Sequence, residues 1–365
     1  MRKILVLALV LSFGAAGVSL GAVTKVGTSG AQFLKIGVGA RALGMGEAFA
    51  AVANDATALY WNPAGIARMR RPDIVFNHTN WVADVNEEFL GYSHPLGSAG
   101  TIGAQVTMVT MGAMQMTQVD DPSTTQREDE GEGLPKFSAS DLAAGITYAR
   151  NFTDKFSLGI SMKYVREAIW EISSNGVGFD VGTLYYTGWK SVRLGMAMSN
   201  FGPDMKFGGR NLDGNLYQNT WPSSYDAQPY TIKTTPYPMP LKFRVGLACD
   251  PLNKQPHRLT VAVDLSHPND GTEKFSLGTE YTWKDFASLR MGYKYDQDAR
   301  YSTSATTADG VVHALKGNKS AMDNFSAGAG INYKLKGKMT ARLDYAYTNM
   351  GYLESVHRFT LGLGF

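Results

Sequence analysis

The chain has 365 residues, a formal net charge of +3, 18% charged residues, 11% aromatics and 40 glycines. That charged fraction lies below the quarter usual for water-soluble domains. So small a net charge, with no basic stripe, argues against nucleic acid as a partner. A single cysteine, Cys249, excludes an internal disulfide and a cysteine-based metal site.

Residues 1–22 read as an export signal. Arg2 and Lys3 give a positive start, Ile4 to Phe13 form an apolar stretch too short to span a bilayer, and small residues follow. Cleavage is expected between Ser19 and Ala22. No later segment has the ~18 consecutive apolar residues of a transmembrane helix. The mature chain is therefore expected to be periplasmic, secreted or a barrel.

Residues 23–71 differ from the rest. They are rich in Ala and Gly and contain GARALGMGEAFAAVANDATALYWNPAG. Short helices are expected over 42–51 and 55–60, with Asp55 placed to cap the second and Pro63 to help stop it. Asn62, Pro63, Ala64 and Gly65 form a turn: Pro63 fixes its own backbone and restricts Asn62, whose side chain can bond nearby backbone. GVGARA at 37–42 matches a loose dinucleotide fingerprint, with Asp55 downstream. That motif needs a strand before it, a helix after it and a parallel sheet. The chain that follows is a meander, so glycines permitting close packing are the better reading, and no cofactor is expected.

From Asp73 onward the period is two. Leu241, Phe243, Val245 and Leu247 alternate with Lys242, Arg244, Gly246 and Ala248. The same scheme holds for Phe275 to Trp283 and for Ala341 to Thr348. Fourteen strand candidates follow: 73–80, 87–96, 100–111, 140–150, 156–172, 176–186, 192–201, 238–250, 258–266, 273–283, 287–295, 324–335, 339–347 and 356–365. Most are near the ~9–11 residues that a tilted membrane strand needs. Alternation alone fits a soluble sandwich equally well. The composition of the two faces separates them: one holds glycines and full charges, the other aliphatic side chains with aromatics near the ends. Lys242, Arg244, Glu280, Arg290, Arg342 and Asp344 are thus expected to face a water-filled lumen, because Lys or Arg at the lipid midplane costs roughly 2–4 kcal/mol. Trp81, Trp170, Trp189 and Trp283 fall at strand ends, as an interfacial girdle would place them.

The connections agree. With the first strand running outward, the inner turns at 97–99, 151–155, 187–191, 251–257, 284–286 and 336–338 are short. Every long insertion, at 112–139, 202–237 and 296–323, lies on the outer side, as bacterial barrels require. Asp120, Asp121, Glu128, Asp129, Glu130 and Glu132 read as a solvated acidic loop, since their spacing matches no calcium loop. The six histidines show no metal or nucleophile pattern and read as surface or turn residues, so no catalytic residue is assigned and no enzyme is expected. A Ser–His pair on neighbouring strands stays open. The expected architecture is all-β: a transmembrane antiparallel barrel of about fourteen strands over 72–365, with a short helical and loop plug over 23–71.

The last strand carries Phe359, Leu361, Leu363 and Phe365 on one face. An aromatic end with apolar residues on the same face resembles the signal read by the barrel-assembly machinery. ALYWNPAG after GARALGMGEAFAAVANDA resembles the N-terminal plug region of FadL-like barrels, and is most similar to their PorV/PorQ branch. The ending LDYAYTNMGYLESVHRFTLGLGF resembles that branch too. The resemblance covers nearly the whole chain. It implies a fourteen-stranded barrel in the bacterial outer membrane. It further implies a type IX secretion component that binds the C-terminal domains of secreted cargo and other secretion proteins. The FadL side of the resemblance implies instead a passive transporter of hydrophobic small molecules. No ligand-binding residues carry over.

Overall fold

The computed structural model describes residues 27–115, 136–217, 227–296, 304–306, 312–314, 324–335, 339–350 and 355–365. The expected export signal and the acidic loop lie outside the described residues. Fourteen strands form the wall: β1 Asp73–Asn80, β2 Asn86–Pro95, β3 Thr101–Thr110, β4 Ala139–Asn151, β5 Phe156–Ile169, β6 Ile172–Tyr186, β7 Arg193–Phe201, β8 Lys242–Lys254, β9 His257–Pro268, β10 Lys274–Trp283, β11 Ala287–Asp296, β12 Phe325–Lys334, β13 Thr340–Asn349 and β14 Ser355–Gly364. Each pairs antiparallel with its neighbours in sequence, and β14 closes on β1, with Asp73 opposite Gly364 and Asn80 opposite His357. Closure leaves no open edge, the condition a sheet must meet to sit in lipid. Among the described residues no helix is long and apolar enough to cross a membrane.

Burial alternates with the sequence pattern. Phe76, Leu90, Ile102, Phe243, Leu343 and Leu361 are exposed on the outside, while Asn77, Thr107, Arg244 and Asp344 are buried within. An apolar exterior around a polar interior inverts the order of a water-soluble protein and matches a bilayer as solvent. The outer ends of β5 and β6 run past the barrel rim, joined by a two-residue turn in which Trp170 takes a left-handed φ of 55°.

Strand limits depart from expectation where proline intervenes. The eighth strand, expected from 238, begins at Lys242 because Pro238 and Pro240 cannot donate to a ladder. It then runs to Lys254 through a register shift between Cys249 and Leu252, where Pro251 sits. β7 ends at Phe201, just after Asn200 turns left-handed at φ 65°. The chain then dips inward, burying Met205 and bridging it to Tyr237.

Residues 27–71 fill the barrel. They form a 3-10 turn at Gln32–Lys35, α1 at Ala40–Gly44, α2 at Ala58–Trp61 and a second 3-10 turn at Pro63–Arg68. The helix expected over 42–51 stops at Gly44, because Gly46 and Glu47 are both left-handed, at φ 64° and 69°. Gly46 also lies against β11, where a Cβ would come within 2.8 Å of the Tyr293 amide nitrogen. Only glycine meets both demands. Val38, Leu43, Met45, Phe49, Leu59, Trp61 and Ile66 form the plug core, joined by inward residues such as Phe89 and Ala149 of the wall.

Candidate functional site

The plug is held by the lumen face of the barrel. Arg41 of α1 pairs with Glu280 of β10 through two bonds, at 2.8 and 2.9 Å, and with Asp55 at 3.0 Å. Arg290 of β11 shares Glu280 at 2.7 Å and reaches Asp344 of β13 at 2.6 Å. Arg342 reaches Asp73 at 2.6 Å, and Asp73 in turn accepts the Ala56 amide at 2.8 Å. Asp264 of β9 accepts the Phe49 and Ala50 amides at 2.9 and 2.7 Å. Arg244 stacks 4.3 Å from the Trp61 ring centre. Buried charges survive only when paired or bonded in this way.

All six lumen charges therefore point inward: Lys242, Arg244, Glu280, Arg290 and Asp344 are buried, and Arg342 is three-quarters covered. Their surroundings differ from expectation. The plug occupies the lumen at this level: Arg244 stacks on Trp61, Glu280, Arg290 and Asp344 are engaged by Arg41 or by each other, and Arg342 pairs with Asp73 of β1. Glu280, Arg290, Arg342 and Asp344 also border the inner cavity described below.

The turn at Asn62, Pro63, Ala64 and Gly65 is fully buried. The Asn62 amide donates to the carbonyls of Ala50 at 2.7 Å and Thr183 at 3.0 Å, and its oxygen accepts the Ala64 amide at 3.1 Å. It lies against Gly159 and Gly182 of β5 and β6. A Cβ at Gly182 would come 2.1 Å from the Asn62 oxygen, and one at Gly159 would come 2.4 Å from the Pro63 backbone. The wall is thus notched to receive the turn.

At the outer end the plug is latched differently. Asp270, in the connection from β9 to β10, accepts from Lys35 at 2.5 Å, from Gln32 at 2.9 Å and from the Ser29 hydroxyl. Burial opposes ionisation of this carboxyl, but the Lys35, Ser29 and Gln32 bonds outweigh it and hold it below its ordinary range. Glu167 of β5 accepts the Ala31 amide at 2.9 Å and the Tyr237 hydroxyl at 2.7 Å. Phe33, Leu34, Met205 and Met239 pack beneath them. None of these residues carries a sequence signal: a lone carboxylate in a turn reads like any other.

Two cavities flank the plug core. The outer one, about 620 Å³, is lined by Phe33, Ile36, Leu43, Val85, Val109 and Met111, with Glu47, Lys294 and Arg358 at its sides. Trp81 lines it too, under the Arg358 guanidinium 5.3 Å away. Trp81 thus belongs to the mouth and not to the expected lipid girdle. Trp189 and Trp283 are exposed at the short-turn end, and Trp170 sits at the tip of the β5–β6 hairpin. The inner cavity, about 550 Å³, is bordered by the Arg41, Arg290 and Arg342 pairs. Phe359 and Leu361 are exposed on the outer face of β14 and Phe365 just after its end, with Leu363 half-buried beside them. Histidines on the wall pair with tyrosines, as His257 does with Tyr281 at 2.6 Å and His357 with Tyr345 at 2.7 Å.

Among solved structures the barrel is similar to the CymD monoaromatic hydrocarbon channel, with TM-score 0.52, 12% identity, and coverage of 90% of this chain and 97% of that one. The toluene transporter TodX of Pseudomonas putida gives TM-score 0.51 at 14% identity, with coverage of 90% and 97%. The toluene transporter TbuX of Ralstonia pickettii gives 0.51 at 13%, with the same coverage. At such identities the likeness is one of fold. No curated protein sequence matches the chain. The family model described as type IX secretion system protein PorV matches residues 21–221, more than half of the chain. A closed fourteen-stranded barrel whose plug and first seven strands fall within that match belongs to the PorV family.

Proposed function

We propose that the chain is an outer-membrane component of type IX secretion that binds proteins at its outer face and catalyses no reaction itself. The observation that carries this reading is the PorV family match across the plug and the first half of the wall. The filled lumen supports it, because a plug bonded to β1, β9, β10 and β14 leaves the outer surface, not the bore, as the place to act. Ile169, Trp170 and Phe201 offer exposed apolar side chains there. Partners of that surface would be the C-terminal domains of secreted cargo and other secretion proteins. Cleavage of the export signal near residues 19–22 and delivery through the barrel-assembly machinery belong to the same proposal. The test is in vivo cross-linking followed by purification of the tagged chain from native outer membranes. Co-elution of proteins bearing secretion C-terminal domains is expected; recovery of the chain alone would count against it.

A second reading has its own support. The outer cavity is lined mainly by apolar side chains, and the fold is shared with hydrocarbon channels. Passive movement of hydrophobic small molecules would use that cavity as its entry. Saturable toluene binding that Val109→Glu abolishes would support this reading, and absence of binding would remove it.

A further inference from the structure

We propose that the inner mouth of the barrel is a docking site for an acidic peptide segment of a periplasmic protein. This goes beyond the secretion reading and does not depend on it. The inner cavity of about 550 Å³ is bordered by eight cationic and five acidic side chains. Four of the acids are paired: Glu280, Asp344, Asp73 and Asp55 with Arg41, Arg290 and Arg342 on the plug side of the cavity. Asp285 accepts from the neutral Gln255 amide at 2.8 Å, a bond that offsets no charge, and is outnumbered by the cations that border the cavity.

The cations nearer the rim have no such partners. Among the described residues Arg70, Arg258 and Lys334 make no ion pair, and the Arg258 Nε is buried without any hydrogen-bond partner. Arg68 is held open by stacking 4.0 Å over the Tyr186 ring and by bonds to Ser157 and the Asp154 carbonyl, neither of which neutralises it. A guanidinium kept ordered and uncompensated at a cavity wall selects an oxyanion.

The geometry favours a peptide over other anions. These cations come from the end of the plug, from β9 and from β12, so they are spread around the cavity. Several separated charges match several carboxylates on one chain. The volume far exceeds the ~30 Å³ share of one water molecule, and so exceeds what a single small anion needs. The cavity is lined by inward-facing side chains such as Ser288 and Asp344, both buried inside the barrel. A lipid headgroup would lie outside the wall.

The experiment uses the full chain in detergent and measures fluorescence anisotropy of labelled hexaglutamate, with labelled hexaglutamine as the neutral control. Hexaglutamate is expected to bind at least tenfold more tightly than hexaglutamine. The Arg70→Gln/Arg258→Gln double variant is expected to lose at least tenfold, with heat-modifiability on gels unchanged. Lys190→Gln, which removes a cation stacked on Trp189 at the same end but off the cavity, is expected to leave binding unchanged. Equal binding of the two peptides, or equal loss in Lys190→Gln, would overturn the proposal. Displacement of hexaglutamate by inorganic phosphate at micromolar concentration would replace it with a small-oxyanion site. Displacement by anionic phospholipid vesicles, but not by neutral ones, would replace it with a lipid site.

Discussion

The two mouths of this barrel share one wall but differ in chemistry. The outer mouth is apolar, latched by single carboxylates such as Asp270 and Glu167. The inner mouth is a lattice of arginines and acids. The difference comes largely from the plug. Its first turn carries Phe33, Leu34 and Ile36, and its last residues are Arg68, Arg70 and Arg71. A filling segment of some forty residues therefore gives the two ends of a uniform sheet different partners to recognise.

The comparison breaks most severely at the inner network. Glu280→Leu leaves Arg41 and Arg290 buried without their shared carboxylate, and truncating one partner of a buried pair costs about 3–5 kcal/mol. A large drop in the heat-modification midpoint on gels is expected, and an unchanged midpoint would mean that water already solvates those arginines. Asn62→Ala comes next. It strands the Ala50 and Thr183 carbonyls and the Ala64 amide, at about 1–3 kcal/mol for a buried group left unsatisfied. Its midpoint should fall clearly below that of the parent chain, and an unchanged midpoint would mean that the three backbone groups find other partners.

The outer latch should respond locally. Asp270→Asn is expected to speed hydrogen exchange over residues 29–36 while leaving 55–66 protected; equal exposure of both segments would show the plug to be one cooperative unit. Acid should mimic it. The Asp270 carboxyl is depressed in the folded protein, so its stabilisation is present above the unfolded value of ~3.9 and disappears as pH falls through its lower folded value. Exchange in 29–36 should therefore be flat from pH 7 to about 4, after correction for intrinsic rates, and rise below. The smallest effect on folded stability is expected at β14. Phe365→Asp should leave the midpoint of inserted protein near that of the parent but lower the inserted fraction, as an assembly signal at Phe359, Leu361, Leu363 and Phe365 requires.

Much of the wall was legible in the sequence because alternation records which surroundings each face meets. Phe243 and Arg244 separate onto opposite faces in the structure as their polarity implies. What alternation cannot record is the identity of the polar surroundings. Arg290 reads the same beside water as beside Glu280 and Asp344, so the sequence places a plug and a polar inner face but not the pairs between them. Trp81 misled for a related reason: an aromatic at a strand end suits both a headgroup and a cavity under Arg358. The short helix at Ala40–Gly44 was overextended because the left-handed Glu47 is set by contact with the wall, where Lys294 holds its carboxylate at 2.6 Å. Nothing in the sequence marks Arg258, because only its place among folded neighbours distinguishes it from other strand cations.

The central claim is that the plug closes the barrel between two chemically distinct mouths. Single-channel recording in planar bilayers tests it most directly, comparing the intact chain with a variant lacking residues 27–65 that still shows heat-modifiable migration. The intact chain is expected to stay closed and the variant to open stable conducting pores. Equal conductance from both, or steady conduction by the intact chain, would contradict it.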